Sequence, residues 1–523
     1  MKIYKILFAA FISILSTPVL GQSNVDSLPC KVKNPVIESF FVNESFWLSC
    51  QNSAGLCFNR ITDFSKVELF TGYEEGDYRK VYQPKSTQFY GFSSKGIKEL
   101  GKLKFIGSFL YNRETSKEVG WSQMMDADRP SPLIIADSIG GDWKKDRYDL
   151  GLKMGTDSLF GWLHLGVGAK YAVGHGGRDN DPRPKSLTRD FTITPSAMVE
   201  LSSKHVLGFS YSLRAYRQDI DIVNNSGVGS STIFKILGLR LLENPVTKSS
   251  MEYRIDGLDQ FADVQYDLRM SGWNSYAKVS YGLVTEKDIS SPYKAMVDTA
   301  TNDVYHIPVN EAKFSETQYE VAWGAEVFSS RIPYSVQLSY GYYDAEAYSY
   351  ISSQVEYTRK KQFVNLSLSA LLNACNQSKA LTLHLGARYS QQEVDQAFYA
   401  QKDIDLLNVN ARAEKAFLLF GLQSSASVGL ELNKVASSDL VIKSESVFIP
   451  EESEITTPVV RNTYYYETSD WVSANASWNL YFNSKKSFKP YIGFSFSGLK
   501  VLNSDEFSDD YRWLSTFKFG IQL

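Results

Sequence analysis

The sequence predicts an all-β protein, a transmembrane antiparallel β-barrel of roughly 16 to 18 strands with a short N-terminal plug-like segment. Three observations predict it: apolar and polar residues alternate, an export signal opens the chain, and short and long connections alternate. The alternation is clearest at the C-terminal end, where one side of a strand carries Trp513, Phe517, Phe519, Ile521 and Leu523. Such a strand separates two unlike environments, which in a membrane barrel are lipid and a wet lumen.

The first residues predict an exported protein. Lys2 and Lys5 precede an apolar stretch from Ile6 to Leu15, and Gly21 is a small residue that suits signal peptidase. We therefore expect residues 1–21 to be a cleaved signal peptide and the mature chain to begin at Gln22. The alternative, an N-terminal membrane anchor, is disfavoured because the apolar stretch is too short to span a bilayer.

Composition argues against membrane-spanning helices and against polyanion binding. Beyond residue 21 no run approaches the ~20 apolar residues that a membrane helix needs. The mean hydropathy is -0.24, a value that a membrane barrel has because alternation averages its hydropathy. Aromatic residues make up 14% of the chain, which suits interfacial girdles, and the net charge of -3 gives no reason to expect a nucleic-acid partner.

The strands are predicted to pair as hairpins across short turns. These turns are expected near residues 155–158, 202–204, 271–274, 329–330, 376, 420 and 484–486. Longer polar connectors are expected near residues 113–145, 172–186, 216–258, 286–314, 393–403, 434–462 and 500–510. Outer-membrane barrels place short turns in the periplasm and long loops outside. A soluble β-sandwich or propeller is the competing interpretation, and it explains neither this alternation nor strands near the ~9–11 residues that cross a membrane.

The region before the barrel has a different pattern. Residues 22–65 do not alternate well, whereas residues 66–523 do. Phe46, Trp47 and Leu56 need a sheltered environment, so we expect residues 22–65 to plug the lumen or to lie at its periplasmic mouth. The segments Val67–Tyr73 and Gln88–Phe92 are weaker strands, and if they belonged to the plug the barrel would have about 14 strands.

The polar side of the strands should line the lumen. The ionisable residues on that side are Arg147, Asp149, Lys153, Lys170, Arg214, Asp263, Asp267, Arg269, Lys278, Glu320, Glu326, His384, Arg388, Arg412, Glu414, Glu431 and Lys518. Both signs are interleaved, so no single-sign selectivity ring is evident. The sequence has no Gly-x-Ser-x-Gly elbow, and we expect neither an enzyme nor a cofactor.

The cysteines are clustered. Cys30, Cys50 and Cys57 lie in the N-terminal region. An oxidising periplasm favours a disulfide between two of them, and the sequence leaves the connectivity open. A zinc site is disfavoured because the spacing of Cys50 and Cys57 is poor and no His lies nearby.

Two resemblances rest on short stretches of this sequence. The stretch from Asn52 to Leu56 resembles the Asn-Pro-Ala-Gly-Leu signature of the long-chain fatty-acid transporter family, with Ser53 in place of the proline. More of the chain is similar to an uncharacterised family of Bacteroidota outer-membrane barrels. That likeness rests on Phe89 to Phe92, Ile106 to Phe109, Trp121 to Pro130 and Asp137 to Gly141. It implies association with TonB-dependent uptake, with outer-membrane lipid as surroundings and a TonB-dependent receptor or surface lipoprotein as partner.

The sequence supports one functional expectation above two others. We expect a passive channel or an accessory component of nutrient uptake in the outer membrane, because the lumen face is polar and carries both charges. The N-terminal region is too short for the plug domain of a TonB receptor. The alternatives are a structural or assembly component with a sealed lumen, and a lumen hydrolase.

Overall fold

The structure is a computed structural model, and its description covers most of the barrel and part of the N-terminal segment. The described residues are 36, 40, 46–58, 63–224, 231–241, 246–248, 250–297, 304–327, 332–373, 379–442, 450–482 and 488–522. The expected signal peptide, Cys30 and most of residues 22–65 therefore lie outside the described residues.

Eighteen strands form one antiparallel sheet. The first nine barrel strands are β1 (Asp63–Gly76), β2 (Ser86–Leu100), β3 (Leu103–Val119), β5 (Gly141–Thr156), β6 (Leu163–Arg178), β7 (Arg183–Glu200), β8 (His205–Val223), β12 (Ser250–Met270) and β13 (Trp273–Val297). The other nine are β14 (Val304–Val327), β15 (Tyr334–Ser349), β16 (Gln354–Leu372), β17 (Leu381–Gln396), β18 (Ala400–Leu419), β19 (Leu422–Ile442), β20 (Asp470–Tyr481), β21 (Lys489–Asn503) and β22 (Tyr511–Gln522). Four further strands lie outside the barrel wall: β4 (Leu133–Ala136), β9 (Ser231–Leu237), β10 (Arg240–Leu241) and β11 (Val246–Lys248).

The sheet closes on itself because the last strand pairs with the first. Leu69 lies opposite Phe519, and β1 also pairs with β2 along nearly its whole length. Closure leaves no unpaired barrel edge, as a sheet surrounded by hydrocarbon requires. The strand number confirms the upper end of the predicted range. The count of about 14 is wrong, because the two weakly alternating segments after residue 66 are complete wall strands whose backbones pair on both sides.

The turns that join the predicted hairpins lie at one end of the barrel, here called the short-turn end. The other end carries the three longest connections, after β3, β8 and β19, and is called the long-loop end. A two-residue turn joins β18 to β19 through Phe420 and Gly421, whose φ angles are 51° and 76°. Two consecutive positive φ values match the right-handed twist of the flanking strands, and glycine adopts such a φ without a steric penalty. The strand pairs confirm the predicted hairpins, although the turns expected near 329–330, 376 and 484–486 lie outside the described residues. The expected alternation holds only in part: a three-residue turn joins β17 to β18 at the long-loop end, so the long connector predicted at 393–403 is wrong, because backbone pairing continues to Gln396 and resumes at Ala400.

The outer surface of the wall carries a continuous apolar belt. Leu150, Phe209, Val279, Leu430 and Phe517 are examples of its exposed side chains. Aromatic residues of neighbouring strands meet near its long-loop margin, in the pairs Tyr111–Tyr148, Tyr171–Phe191 and Tyr281–Tyr319. An apolar belt with aromatic margins is what a barrel presents to lipid.

The strands are longer than the segments in which apolar and polar residues alternate. Their lengths range from 12 residues in β20 to 25 residues in β13, whereas about 9–11 residues cross a membrane. Much of the predicted connectors 172–186 and 286–314 is therefore strand. Beyond the lipid the two faces of a strand no longer meet unlike solvents, so backbone pairing continues while the sequence pattern fades.

The long-loop end holds a small second sheet, here called the lid. It consists of β4, β9, β10 and β11, with β9 paired to each of the other three. Beside it lies α2 (Pro450–Glu467), which begins in the connector predicted near 434–462 and ends five residues after it, and α1 (Phe46–Ser49) lies in the N-terminal segment. In the described part of the chain, no helix has the length and apolar character needed to cross a membrane.

Candidate functional site

The inward face of one strand, β8, passes through three layers of the molecule. Near the short-turn end, Val206 packs against the N-terminal segment. Ser212 and Arg214, in the middle, line an open cavity. Ile220 and Ile222, further along, pack beneath the lid. The lumen is therefore divided into a plug, a cavity and a lid.

The plug segment comprises residues 46–58 and includes α1 and a 3-10 helix (Ser53–Phe58). Phe46, Trp47 and Leu56 were expected to need shelter, and at most 7% of each is exposed. Phe46 stacks on Tyr276 of β13, with ring centroids 4.1 Å apart. The indole N–H of Trp47 donates to Asp267 of β12 at 2.9 Å. Wall residues and apolar anchors thus hold the segment inside the barrel.

Asn52 fixes the plug segment to the wall. Its side-chain N–H groups lie 3.2 Å from the Ala197 carbonyl, 3.3 Å from the Phe209 carbonyl and 2.9 Å from Gln265 Oε1. The β7–β8 pairing skips Thr194 and Pro195 just beside this point, since proline has no N–H to donate. Asn52 therefore supplies donors where the ladder is interrupted.

Two wall glycines let the plug backbone approach the strands. A Cβ on Gly166 would lie 2.2 Å from the Ala54 nitrogen, and one on Gly155 would lie 2.5 Å from the Ser53 carbonyl oxygen. Both neighbours are backbone atoms, which cannot turn aside as a flexible side chain can. The position of the plug therefore depends on the absence of a side chain at these positions.

The cysteines of the plug are not bonded. Cys50 and Cys57 are free thiols. Each thiol instead lies within its own helical turn, donating to the carbonyl three residues earlier: Cys50 to Trp47 at 3.5 Å and Cys57 to Ala54 at 3.2 Å. The structure thus differs from the expected disulfide for these two residues, while Cys30 lies outside the described residues.

The cavity above the plug has a volume of about 910 Å³. The Cys50–Gln51 stretch of the plug forms part of its floor, and strands β2, β3, β5, β6, β7, β8 and β12 form its wall. Five of the predicted lumen residues meet here: Arg147, Asp149, Lys153, Lys170 and Arg214. A cavity of this size falls within the range of small-molecule sites.

Both carboxylates of the cavity lining form ion pairs with arginines. The Arg147 Nε atom lies 3.1 Å from Asp149. Arg214 bonds to Asp190 at 2.8 Å and to Asp259 at 2.7 Å. The Lys153 ammonium donates to the Cys50 carbonyl at 3.0 Å and so ties the plug to the wall. The sequence predicted interleaved charges, and pairing converts that mixture into a locally positive surface.

The other predicted lumen residues make local contacts. Near the plug, Arg269 bonds to Asp267 at 3.0 Å and lies over the Phe58 ring at 3.2 Å, while Glu326 accepts from the Phe46 N–H at 3.2 Å. Further round the wall lie the pairs Glu320–Tyr343, His384–Ser369, Arg388–Phe363, Arg412–Glu414, Asp263–Ser280 and Glu431–Asn408. Lys278 and Lys518 lie on β13 and β22. The structure does not bring these residues into one cluster.

The sequence analysis missed two charged residues of the cavity, Lys95 and Asp190, and the carboxylate of Asp259, which pairs with Arg214 of the lining. The strand predicted at Gln88–Phe92 ended too early, because β2 continues to Leu100. Extending its two-residue period would have placed Lys95 on the lumen side. Asp259 follows a predicted connector, and Asp190 immediately precedes the alternating segment that begins at Phe191.

Buried ion pairs attach the lid to the wall. Arg129 bonds to Glu286 of β13 at 2.6 Å, and both side chains are less than a tenth exposed. Lys235 of β9 bonds to Glu311 of β14. Asp288, two residues after Glu286, is fully buried and neither of its carboxylate oxygens has a hydrogen-bond partner in the described structure. Burial and the neighbouring Glu286 raise the pKa of Asp288 well above its usual range.

Apolar packing completes the lid. Leu133 and Leu237 pack against inward residues of β13 to β18, and Ile135 and Ile233 pack against β8 and β12. Val459 of α2 covers the opposite side. The sequence analysis did not identify the lid. Its signal was present as two apolar runs, Leu133–Ala136 and Ile233–Leu237, inside connectors that were predicted to be polar.

Several solved structures are distantly similar to this chain. The FrpB iron transporter from Neisseria meningitidis (F3-3 variant) has a TM-score of 0.41 and 10% identity, covering 90% of this chain and 83% of its own. The ferric preacinetobactin receptor BauA from Acinetobacter baumannii has a TM-score of 0.38 and 7% identity, covering 88% of this chain and 80% of its own. The siderophore receptor PiuA from Acinetobacter baumannii has a TM-score of 0.37 and 7% identity, covering 88% of this chain and 82% of its own. Similarity at this level carries no argument about ligands or partners.

The family is shown by sequence. No curated protein matches the chain. A family model matches residues 53–523, which begin within the plug segment and include the whole barrel. The resemblance to long-chain fatty-acid transporters and the Bacteroidota origin find no support in these comparisons. The chain belongs to the family of unknown function DUF6850.

Proposed function

We propose that this protein is an outer-membrane barrel that admits a small polar solute, with the plug segment controlling exit at the periplasmic end. The observation that carries the proposal is the polar cavity of about 910 Å³ inside a wall whose outer face is apolar. An apolar belt suits lipid and a polar lumen suits a water-soluble solute. The short-turn end is assigned to the periplasm because barrels of this class place their short turns there.

The contacts of the plug support a passive route with a movable barrier. The plug is a short segment that is joined to the wall by individual hydrogen bonds, such as Asn52 to Gln265 and Trp47 to Asp267, and by one small apolar cluster. A segment of this size can leave its position without unfolding the barrel, whose wall strands pair independently of it. We propose no catalytic role, and an accessory role beside a TonB-dependent receptor or surface lipoprotein remains part of the proposal.

Conductance in planar bilayers tests this function. Gly166→Val should displace the plug, because a Cβ would meet the backbone of Ala54 at 2.2 Å, and ionic conductance should rise severalfold over the unmodified protein. Gly107→Val is the matched control, since a Cβ there meets no atom within 4 Å. It should leave conductance unchanged.

A sealed structural barrel predicts a different result. Displacing the plug would then leave the membrane silent, and so would a double variant that also loosens the lid through Arg129→Ala. Silence in both variants, with folded barrels shown by heat-modifiable gel migration, would reject the uptake function in favour of a structural or assembly role.

A further inference from the structure

The charge balance of the cavity identifies the class of solute. Its lining has five cationic side chains, Lys95, Arg147, Lys153, Lys170 and Arg214, and two carboxylates, Asp149 and Asp190. Both carboxylates are bound by arginines, and Arg214 reaches a further one, Asp259, on β12. The two arginines are therefore occupied by carboxylates, and Lys153 is occupied by the plug, which leaves Lys95 and Lys170 to be considered.

Two of these lysines are available to a solute. Lys95 and Lys170 are exposed to the lumen, and within the described residues neither ammonium lies in an ion pair or donates a hydrogen bond. Both are near enough to Lys153 to repel its ammonium. Neighbouring ammonium groups repel each other, and an anion bound between them would relieve that repulsion. The chain as a whole is slightly acidic, with a net charge of -3, so the positive surface is local.

The wall beside the lysines makes room for an organic molecule. Gly151 and Gly168 lie on the same strands as Lys153 and Lys170, where larger side chains would narrow the cavity. Hydroxyl groups of Ser108, Thr192 and Ser212 offer donors and acceptors. Ile97 and Phe261 add apolar surface. Together these groups fit a molecule that carries an anionic group on a polar body.

We propose that the cavity binds a small organic anion, about the size of a sugar acid or sugar phosphate, through Lys95 and Lys170. The inference deepens the proposed uptake function by naming the solute class, and it rests on that function only for its transport consequence. Lys153 holds the plug through the Cys50 carbonyl, so an anion placed among the three lysines lies directly above the barrier.

Binding to the full-length protein in detergent tests the inference. Glucuronate and glucose 6-phosphate are titrated by calorimetry, with glucose as the neutral comparison and inorganic phosphate as the bare anion. Both organic anions should bind at least tenfold more tightly than glucose, a difference of about 1.4 kcal/mol. Raising the salt concentration should weaken that binding.

Paired variants locate the site. Lys95→Gln combined with Lys170→Gln should weaken binding of the organic anions at least tenfold. Lys204→Gln, in the exposed turn between β7 and β8, is the control and should bind as the unmodified protein does. Equal binding of glucose and glucuronate, undiminished binding by the double variant, or no anion binding by folded protein would each overturn the inference. Binding of inorganic phosphate as tight as that of the organic anions would show an adventitious ion only.

Transport separates this inference from the proposed function. A plug-displaced barrel that conducts without anion preference supports uptake and overturns the anion site. A barrel that binds glucuronate yet remains silent supports the anion site and rejects uptake. Anion-selective reversal potentials that disappear in the Lys95→Gln and Lys170→Gln variant support both.

Discussion

The segments at the two ends of this barrel are held to the wall by different kinds of contact. At the short-turn end the plug segment approaches glycine positions in the wall, and Asn52 and Lys153 bond across to backbone carbonyls. At the long-loop end a small sheet packs apolar side chains against the wall and adds the buried pair Arg129–Glu286. The plug thus depends on a small apolar cluster and a few close approaches, whereas the lid depends on a wider apolar contact. We therefore expect the plug to move more readily and the lid to respond more strongly to charge changes.

The largest effect is expected from Arg129→Ala, in the segment that leads into β4 of the lid. The substitution leaves Glu286 buried without its partner beside Asp288, and breaking such a pair typically costs about 3–5 kcal/mol. Hydrogen exchange of the β9 amides should accelerate, while exchange in the plug segment stays the same. Adding Glu286→Gln should restore part of the protection, because it removes the uncompensated charge.

A matched control supports that measurement. Lys144 pairs with Asp179 on exposed surface, with 63% and 88% of the two side chains accessible. Lys144→Ala should change stability by less than about 1 kcal/mol. If Arg129→Ala altered β9 no more than this control does, the buried pair would have no role in holding the lid.

The next effect is expected from Trp47→Ala in the plug. It removes a ring that is 5% exposed and a hydrogen bond to Asp267, and large-to-small substitutions of this kind cost about 3–5 kcal/mol when the site cannot collapse. The plug borders the open cavity, so we expect the lower part of that range. The thiol of Cys50, now 6% exposed, should react faster with a maleimide.

The control for the plug is another tryptophan. Trp162 lies near the short-turn end but is 47% exposed, so Trp162→Ala should leave the labelling rate of Cys50 unchanged. Equal acceleration in both variants would mean that labelling reports general loosening of the barrel and not release of the plug.

A smaller effect is expected from Asn52→Ala. Three acceptors lose the amide N–H groups that lie beside the interrupted β7–β8 ladder. An unsatisfied buried polar group costs about 1–3 kcal/mol. Thermal unfolding of the barrel should change little, whereas exchange of the Ala54 amide, which donates to Asn52 Oδ1 at 3.0 Å, should increase. Unchanged exchange there would show that Asn52 does not anchor the plug.

The smallest effect depends on pH and concerns the lid. The pKa of Asp288 is raised by burial and by Glu286 and Glu311, while Arg129 opposes the shift. Because the docked lid favours the protonated carboxyl, its contribution to lid stability is full below the ordinary pKa near 3.8 and is lost as pH rises through the raised value. Protection of β9 amides, corrected for intrinsic exchange rates, should therefore fall with rising pH.

A substitution isolates this carboxyl from the charged groups around it. Asp288→Asn should flatten the pH dependence of the lid and leave Arg129, Glu286, Lys235 and Glu311 in place. The plug segment should show no corresponding dependence. A lid whose pH response survived the substitution would point to Glu286, whose pKa is also raised by burial, as the titrating group.

The barrel wall could be predicted closely because lipid imposes a strict pattern. Hairpins such as β12–β13 and β18–β19 were recognisable from alternating residues between short turns, and Phe517 and Phe519 identified the closing strand. The alternation of apolar and polar residues did not identify strands outside the lipid-facing belt. Residues 286–297 are strand outside the belt, and Leu133 to Ala136 form a strand that packs inside the mouth.

The sequence by itself determined the fold class, the hairpin order and the side of each strand that faces the lumen, because a two-residue period leaves only two faces to choose between. Tertiary structure alone decided how the lumen is divided and charged. Arg214 meets Asp190 and Asp259 only because β7, β8 and β12 are neighbours in the closed wall. Lys95 and Lys170 lack such partners because no carboxylate on an adjacent described strand reaches them. Net local charge depends on which side chains lie within a few ångströms of each other, and spacing along the chain does not contain that information.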